Sequence, residues 1–437
     1  MKLVNKERAP RTLLTIHGTI RFSRTCLAPA DHQSSDTLQK EYHQKNVYPM
    51  DEALGIARHP FKITWKAMSK IAKTATKAPS FSEAAKELSK EFGENISTST
   101  VERVTEFVGG LMLQKQYDMA KEAEQILGKR RIDSRRIRKQ ANDVLYIETD
   151  GAMVHVRDKE HVGMTNEEIE AESNPIKQEY TSGWTESKHA ICFHAKDIKY
   201  YFEKPDGTRY SGRYDEYLAL LKENSNIKVI SHKIENRDCI GLIGKSDHFQ
   251  YHIQALAERN DWSYTSTVVI LSDGAAWIKA AKEKLFKRRH VIQILDLFHA
   301  KENAWKFANG IKDTDTSRKQ YADHLCELIE NGKVSQLLKE LKPYENEKMK
   351  TGVPNLYTYI SNNKNNMDYP RYKKLGLFVG SGAMESANIY MMQNRMKLPG
   401  MRWNVISGRK MLCLKSHKES QTWYKVDEAL HEYALRK

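Results

Sequence analysis

Hydrophobic and polar positions change period several times along the chain, and each change marks an element. Residues 12–25 alternate loosely around His17-Gly18, with Leu13-Leu14-Thr15-Ile16 before the turn and Thr19-Ile20-Arg21-Phe22 after it, which predicts a small β-hairpin. A polar stretch from Ala28 to Asn46 follows, and from Pro60 to Gly128 the spacing is helical. Ser80-Phe81-Ser82-Glu83 caps a helix whose apolar positions Ala84, Ala85, Leu88 and Phe92 fall on one face; Gly93 ends it, and Ser97-Thr98-Ser99-Thr100 opens another. From about Asp143 the pattern becomes that of strands, over Val144 to Val156, His189 to Ala195, and either Ile227 to Ile234 or Asp238 to Ile243. A helix is expected over Asp247 to Asn260, with Phe249, Ile253, Leu256 and Ala257 inward, then a buried strand from Thr267 to Ser272 and a helix from Trp277 to Phe286. A last strand, Val291 to Leu295, leads into a helix from Leu297 to Asn309, and residues 311–370 read as helical.

A strand meander followed by helix, strand, helix and strand is the order expected of a ribonuclease-H-like α/β core. The expected organisation is a hairpin region (1–58), a mostly α-helical region with a basic linker (59–142), the first part of the core (143–310), an all-α insertion (311–378), and a helix with a basic tail (379–437). The two short helices joined through Gly93 resemble a helix-turn-helix, which would point Ser97, Thr98, Thr100 and Arg103 at phosphates or base edges. An ordinary helical hairpin accounts for the same pattern.

Composition narrows the partners. Among 437 residues, 71 Lys and Arg against 56 Asp and Glu leave a formal charge of +15, which calls for an acidic partner. No apolar run approaches the ~18 residues of a membrane span, and the basic N-terminus lacks the apolar stretch of a secretory signal, so nucleic acid is favoured over a membrane. Seven basic side chains, Lys129, Arg130, Arg131, Arg135, Arg136, Arg138 and Lys139, lie in one short run suited to phosphate contacts, although a solvated linker would look alike. Arg395 and Arg402 beside Trp403, with Arg409, Lys410 and Lys415 further on, form a second cationic and aromatic mixture; Trp403 is equally readable as core. Cys26, Cys192, Cys239, Cys326 and Cys413 are scattered with no paired spacing, which argues against a cysteine zinc site and suits a reducing cytoplasm.

The chemistry rests on acids. Asp150 closes an apolar strand run and Asp273 closes another, each followed by Gly; Glu148 shares the face of Asp150 by the two-residue period. Either Asp-Gly is also a common turn. Acids at neighbouring strand ends, ~4.8 Å apart, suit two shared cations. Asp296, on a strand two places away, is set at ~9–10 Å and is read with His299 as a supporting pair. Glu385 opens a helix rich in small residues, with Ser381 as its expected cap and Asn388 one turn on. A first-turn Glu also simply complements the helix dipole.

Thr149-Asp150-Gly151, Leu271-Ser272-Asp273-Gly274-Ala275-Ala276-Trp277-Ile278, Gln293-Ile294-Leu295-Asp296-Leu297-Phe298-His299-Ala300 and Gly382-Ala383-Met384-Glu385-Ser386 together resemble Mutator-like DDE transposases of bacterial insertion sequences, of the Kra and Lre groups. The resemblance implies that Asp150, Asp273 and Glu385 hold two Mg²⁺, for which Mn²⁺ may substitute, and that Asp296 and His299 correspond to a supporting element. It further implies cleavage at transposon ends, strand transfer into target DNA, assembly as a homodimer or larger oligomer on DNA, and a bacterial nucleoid location. Residues 157–187 and 196–226 are longer than that pattern expects. A ribonuclease-H-like nuclease that never joins strands, or a non-catalytic DNA-binding descendant, would share most of these features.

Overall fold

The computed structural model describes residues 3–29, 46–57, 60–129, 143–172, 180–224, 226–262, 267–275, 278 and 291–435, with backbone only for 126–129. The chain forms two compact units, one of residues 1–115 with 407–437 and one of residues 116–406.

In the first unit β1 (Leu3–Thr15) and β2 (Gly18–Pro29) pair antiparallel about His17-Gly18, with Gly18 at φ +95°. The turn falls where the pattern places it, but the arms are much longer than expected. Residues 3–8 are exposed, so no apolar alternation marks the outer part of β1. The hairpin is fastened where buried Arg24 stacks over Tyr48, 3.7 Å from the ring centre, and pairs with Asp51 of α1 (Pro49–Ala53). Next come α2 (Trp65–Lys77), α3 (Phe81–Phe92) and α4 (Thr98–Lys129). Ser80 caps α3 by accepting from the Glu83 amide at 3.1 Å, and Gly93 ends it at φ +69°, the left-handed turn for which glycine is suited. The helix after Gly93 is not short: α4 runs for 32 residues.

In the second unit a five-stranded mixed sheet has the strand order Val291–Leu295, Thr267–Ser272, Val144–Val156, Gly183–His194, Asp238–Ile243. Strands β3 (Val144–Val156), β4 (Gly183–His194) and β8 (Asp238–Ile243) form an antiparallel meander, and β9 (Thr267–Ser272) and β10 (Val291–Leu295) run parallel to β3. Of the two candidates for the third strand, Asp238–Ile243 belongs to this sheet. The other, β7 (Lys228–Ile234), joins β5 (Ile198–Glu203) and β6 (Arg209–Gly212) in a separate three-stranded sheet, so the overlong 196–226 stretch has structure of its own.

Short α5 (Asn166–Ala171) lies between β3 and β4, and α6 (Tyr214–Lys222) between β6 and β7. One face of the main sheet, including Leu145, Ile147, Ala190, Cys192, Val268 and Ile270, is sealed by Phe249, Ile253 and Leu256 of α7 (Ser246–Arg259). After β10 come α8 (Leu297–Ile311) and the expected helical insertion, α9 (Asp315–Glu330), α10 (Val334–Leu341), α11 (Leu356–Asn363) and α12 (Tyr369–Lys374). Helix α13 (Gly382–Asn388) passes into a π-helical turn, Ile389–Gln393. The helix expected over 277–286 lies outside the described residues, Ile278 apart.

The chain closes with α14 (Val405–Glu419) and α15 (Trp423–Leu435). Within the first unit, α15 is held to α2 where the Trp423 indole N–H donates to Ser69 Oγ at 2.9 Å. Four of the five cysteines are buried and Cys326 is half-buried, as small apolar residues would be. Among the described residues no helix is long and apolar enough to cross a membrane.

Candidate active site

Strand register assembles the site. Thr149 pairs with Ser272, and Ser272 with Leu295, on three neighbouring parallel strands. The next residue on each is an aspartate: Asp150, Asp273 and Asp296. Asp150 and Asp273 thus follow matched positions on adjacent strands, ~4.8 Å apart, whereas β10 lies one strand further out, as expected. Asp150-Gly151 is not a turn. The strand continues through it, and Asp150 pairs with His189 across β4; only the parallel pairing with β9 stops at Thr149. Asp273-Gly274 does turn: Asp273 Oδ1 accepts from the Ala275 amide at 2.9 Å, and Gly274 sits at φ +88°. The hydroxyl of Tyr359 in α11 donates to the Asp273 carbonyl at 2.9 Å, which ties the insertion to this corner.

Helix α13 is docked on carboxylates. The Met384 amide donates to Glu148 Oε2 at 2.9 Å, the Asn388 amide group to Asp150 Oδ2 at 2.6 Å, and the Ser381 backbone N–H to Asp296 Oδ2. Ser381 occupies the N-cap position, but its side chain makes no capping bond. Its backbone contact with Asp296 fixes the helix start. Between these three tethers Glu385 is exposed.

The environments of the acids differ. Glu148 is fully buried, and desolvation pushes its carboxyl up to about 8, partly offset by the Met384 amide, so at neutral pH it is mostly protonated. Asp150 is half-buried and raised by desolvation, against which the Gly151 amide and His299 act. For Asp296 burial works upward but is outweighed by hydrogen bonds from His299 and Ser381, which hold it below the ordinary range. His299 Nδ1 stands 3.5 Å from Asp296 Oδ1; that pairing, with Asp150 and Asp273 nearby, lifts its imidazole to about 9 against the drag of burial. An imidazolium therefore faces three carboxylates. His189 is buried, and desolvation takes it down to about 4, so it is neutral.

The expected DNA contacts fare unevenly. Ser97, Thr98 and Arg103 are exposed and Thr100 is half-buried, with Ser97 Oγ capping α4 by accepting from the Thr100 amide at 3.1 Å. Arg402 is exposed. Arg395 is not: it is 1% exposed, lies 5.0 Å from the Trp403 ring centre, and is lowered to about 10 by desolvation. Trp403 is core, bonded through its indole N–H to the Met396 carbonyl at 3.2 Å. Arg409 and Lys415 are buried as well, Lys415 reaching the Thr76 carbonyl at 3.2 Å. Three of the tail's cations are thus buried rather than presented on a surface, contrary to what its composition suggests. The side chains of Lys129, Arg130, Arg131, Arg135, Arg136, Arg138 and Lys139 lie outside the described residues.

Among the described residues no group of three His, Cys, Asp or Glu side chains is gathered closely enough to hold a metal ion. The donor chemistry nevertheless suits a hard divalent cation, since the carboxylates of Asp150 and Asp273 follow matched positions on adjacent strands. Residues 1–167 are similar to a family described as Uncharacterised protein family (UPF0236), a stretch that includes Glu148 and Asp150 but none of the other acids. No curated protein matches the chain.

Proposed function

We propose that the chain is a DDE transposase that cuts DNA at transposon ends and transfers the freed 3′ end into target DNA. The observation that carries this reading is the pair Asp150 and Asp273, which follow matched positions on adjacent strands, together with the tethering of the Glu385-bearing helix to Glu148, Asp150 and Asp296. The sheet supports it too. An antiparallel meander flanked by two parallel strands, with a helical insertion between the last strand and the Glu-bearing helix, agrees with the order expected of a ribonuclease-H-like core. Two Mg²⁺ held by Asp150, Asp273 and Glu385 would supply charge neutralisation at the scissile phosphate and activation of the attacking oxygen.

The protein's own contribution is placement. Asn388 and the Gly151 amide at 2.8 Å orient Asp150, the Ala275 amide orients Asp273, and the His299 imidazolium limits repulsion among the acids. The basic charge of the chain and the exposed Ser97, Thr98 and Arg103 suit phosphate contacts on double-stranded DNA. A ribonuclease-H-like nuclease that does not join strands uses the same acids. Purified protein with Mg²⁺ and DNA carrying the flanking element ends separates the two: cleavage with joining, both lost in Asp273→Ala, is expected. Cleavage without joining moves the protein to the nuclease reading, and full activity of Asp273→Ala refutes the site.

A further inference from the structure

Beside the acids runs a buried polar chain that the two-ion reading does not use. On β4, Ser187 and His189 are fully buried on the sheet face that carries Asp150, with His189 directly opposite it. His189 Nε2 lies 2.8 Å from Ser187 Oγ, and His189 Nδ1 lies 2.6 Å from Asn388 Oδ1. The other end of the Asn388 amide donates to Asp150 Oδ2 at 2.6 Å. We propose that His189 is a positioning residue, which through Asn388 fixes the orientation of the Asp150 carboxylate that would hold a cation.

The direction of the chain follows from which groups are able to donate. An ionised carboxylate only accepts, so the Asn388 NH₂ must face Asp150 and its carbonyl must face His189. Nδ1 therefore carries the imidazole proton, and Nε2 is left as an acceptor for the Ser187 hydroxyl. That hydroxyl also lies 2.8 Å from the Ala152 carbonyl, and its single proton serves one partner at a time. Reversing the amide would set its carbonyl against the carboxylate and its NH₂ against the Nδ1–H. The network thus has one consistent orientation, and it joins β4 to α13 one turn from Glu385.

This inference rests on the proposed two-ion site, and its test separates the two. Mn²⁺ affinity is measured by calorimetry on the full-length protein and on His189→Asn, His189→Gln and His189→Leu. Asparagine sets an N–H near the Nδ1 position, whereas glutamine reaches toward Nε2 and leucine has no donor. His189→Asn is expected to bind Mn²⁺ as the wild type does, and the Gln and Leu variants roughly 10-fold or more weakly, the usual scale for losing a group that orients a ligand. Folded Gln and Leu variants with wild-type affinity overturn the relay. Absence of Mn²⁺ binding in the wild type overturns the two-ion reading itself. A second readout needs no metal and no folded variant of doubtful quality: imidazole ¹⁵N shifts in histidine-labelled wild type. The Nδ1–H tautomer at His189 is expected, and the Nε2–H tautomer refutes the relay alone.

Discussion

Glu148→Gln tests the electrostatics of the site without reference to its chemistry. Glu148 is wholly buried and accepts one hydrogen bond, from the Met384 amide, which a glutamine carbonyl accepts equally well. Its carboxyl stands at about 8 in the folded chain against an ordinary 4.5, with burial as the main cause. Between those values the folded state holds a proton that the unfolded chain has released, so wild-type stability falls as pH rises. At ~1.4 kcal/mol per pH unit, the loss between pH 5 and 7 is about 2–3 kcal/mol. The Gln variant lacks that term. Urea unfolding of both proteins at pH 5, 6 and 7 in EDTA should show wild type falling relative to Glu148→Gln by that amount. Parallel profiles would refute the buried, protonated assignment. The same reasoning says that Glu148→Gln, which imitates the protonated form, retains DNA cleavage, whereas Asp150→Asn does not.

Three further outcomes follow from particular contacts. Gly274→Ala combines a left-handed φ of +88° with a Cβ placed 2.8 Å from both Leu295 Cδ1 and Asn363 Nδ2, so a loss of roughly 2–4 kcal/mol is expected from strain and overpacking; an unchanged urea midpoint contradicts the turn. The His299 imidazole should titrate near 9 by NMR and fall toward 6.5 in Asp296→Asn. Because its folded value is raised, the stability it confers is complete below about pH 6.5 and lost as pH climbs through 9; titration near 6.5 in the wild type disproves the pairing. Should Arg402 contact phosphate, Arg402→Ala lowers the slope of log affinity against log salt by ~0.9, while Arg395→Met leaves that slope unchanged and lowers stability, and a flatter slope for Arg395→Met is incompatible with its burial.

Local periodicity carried much of this fold and little of its wiring. The buried face of α7, the apolar runs of β9 and β10 and the helical insertion are readable because each is specified by neighbours in sequence. The strand Val144 to Val156 is readable over its whole length, because its apolar run up to Asp150 is continued by Val154 and Val156, buried on the period of two of a hairpin. The second sheet is not legible as a unit although Ile198, Tyr200 and Phe202 alternate cleanly, since its other two strands, β6 and β7, carry no fully buried position and so no apolar alternation. Asp150, Asp273 and Glu385 stand out as candidates by residue type and position alone. His189 does not: its place opposite Asp150 depends on a register, and its contact with Asn388 spans 199 residues. Arg395, Arg409 and Lys415 misled because charge composition says where a side chain prefers to be, while the surrounding apolar residues decide where its stem is carried.

The tethering of α13 bears on why so many acids are kept together. A helix can be docked on a sheet by hydroxyls or amides, which accept the same backbone N–H bonds without the desolvation of a carboxylate. Here Glu148 and Asp296 accept such backbone bonds and Asp150 accepts the Asn388 side-chain amide, at positions where burial raises two of the three and where hydrogen bonds from His299 and Ser381 hold Asp296 down. Neutral replacements would lessen the repulsion and stabilise the empty fold. Strain of this kind concentrates where a site needs the charge for something other than folding. A cation bound among these acids would relieve it, and so would couple the pose of α13, and with it Glu385, to occupation of the site.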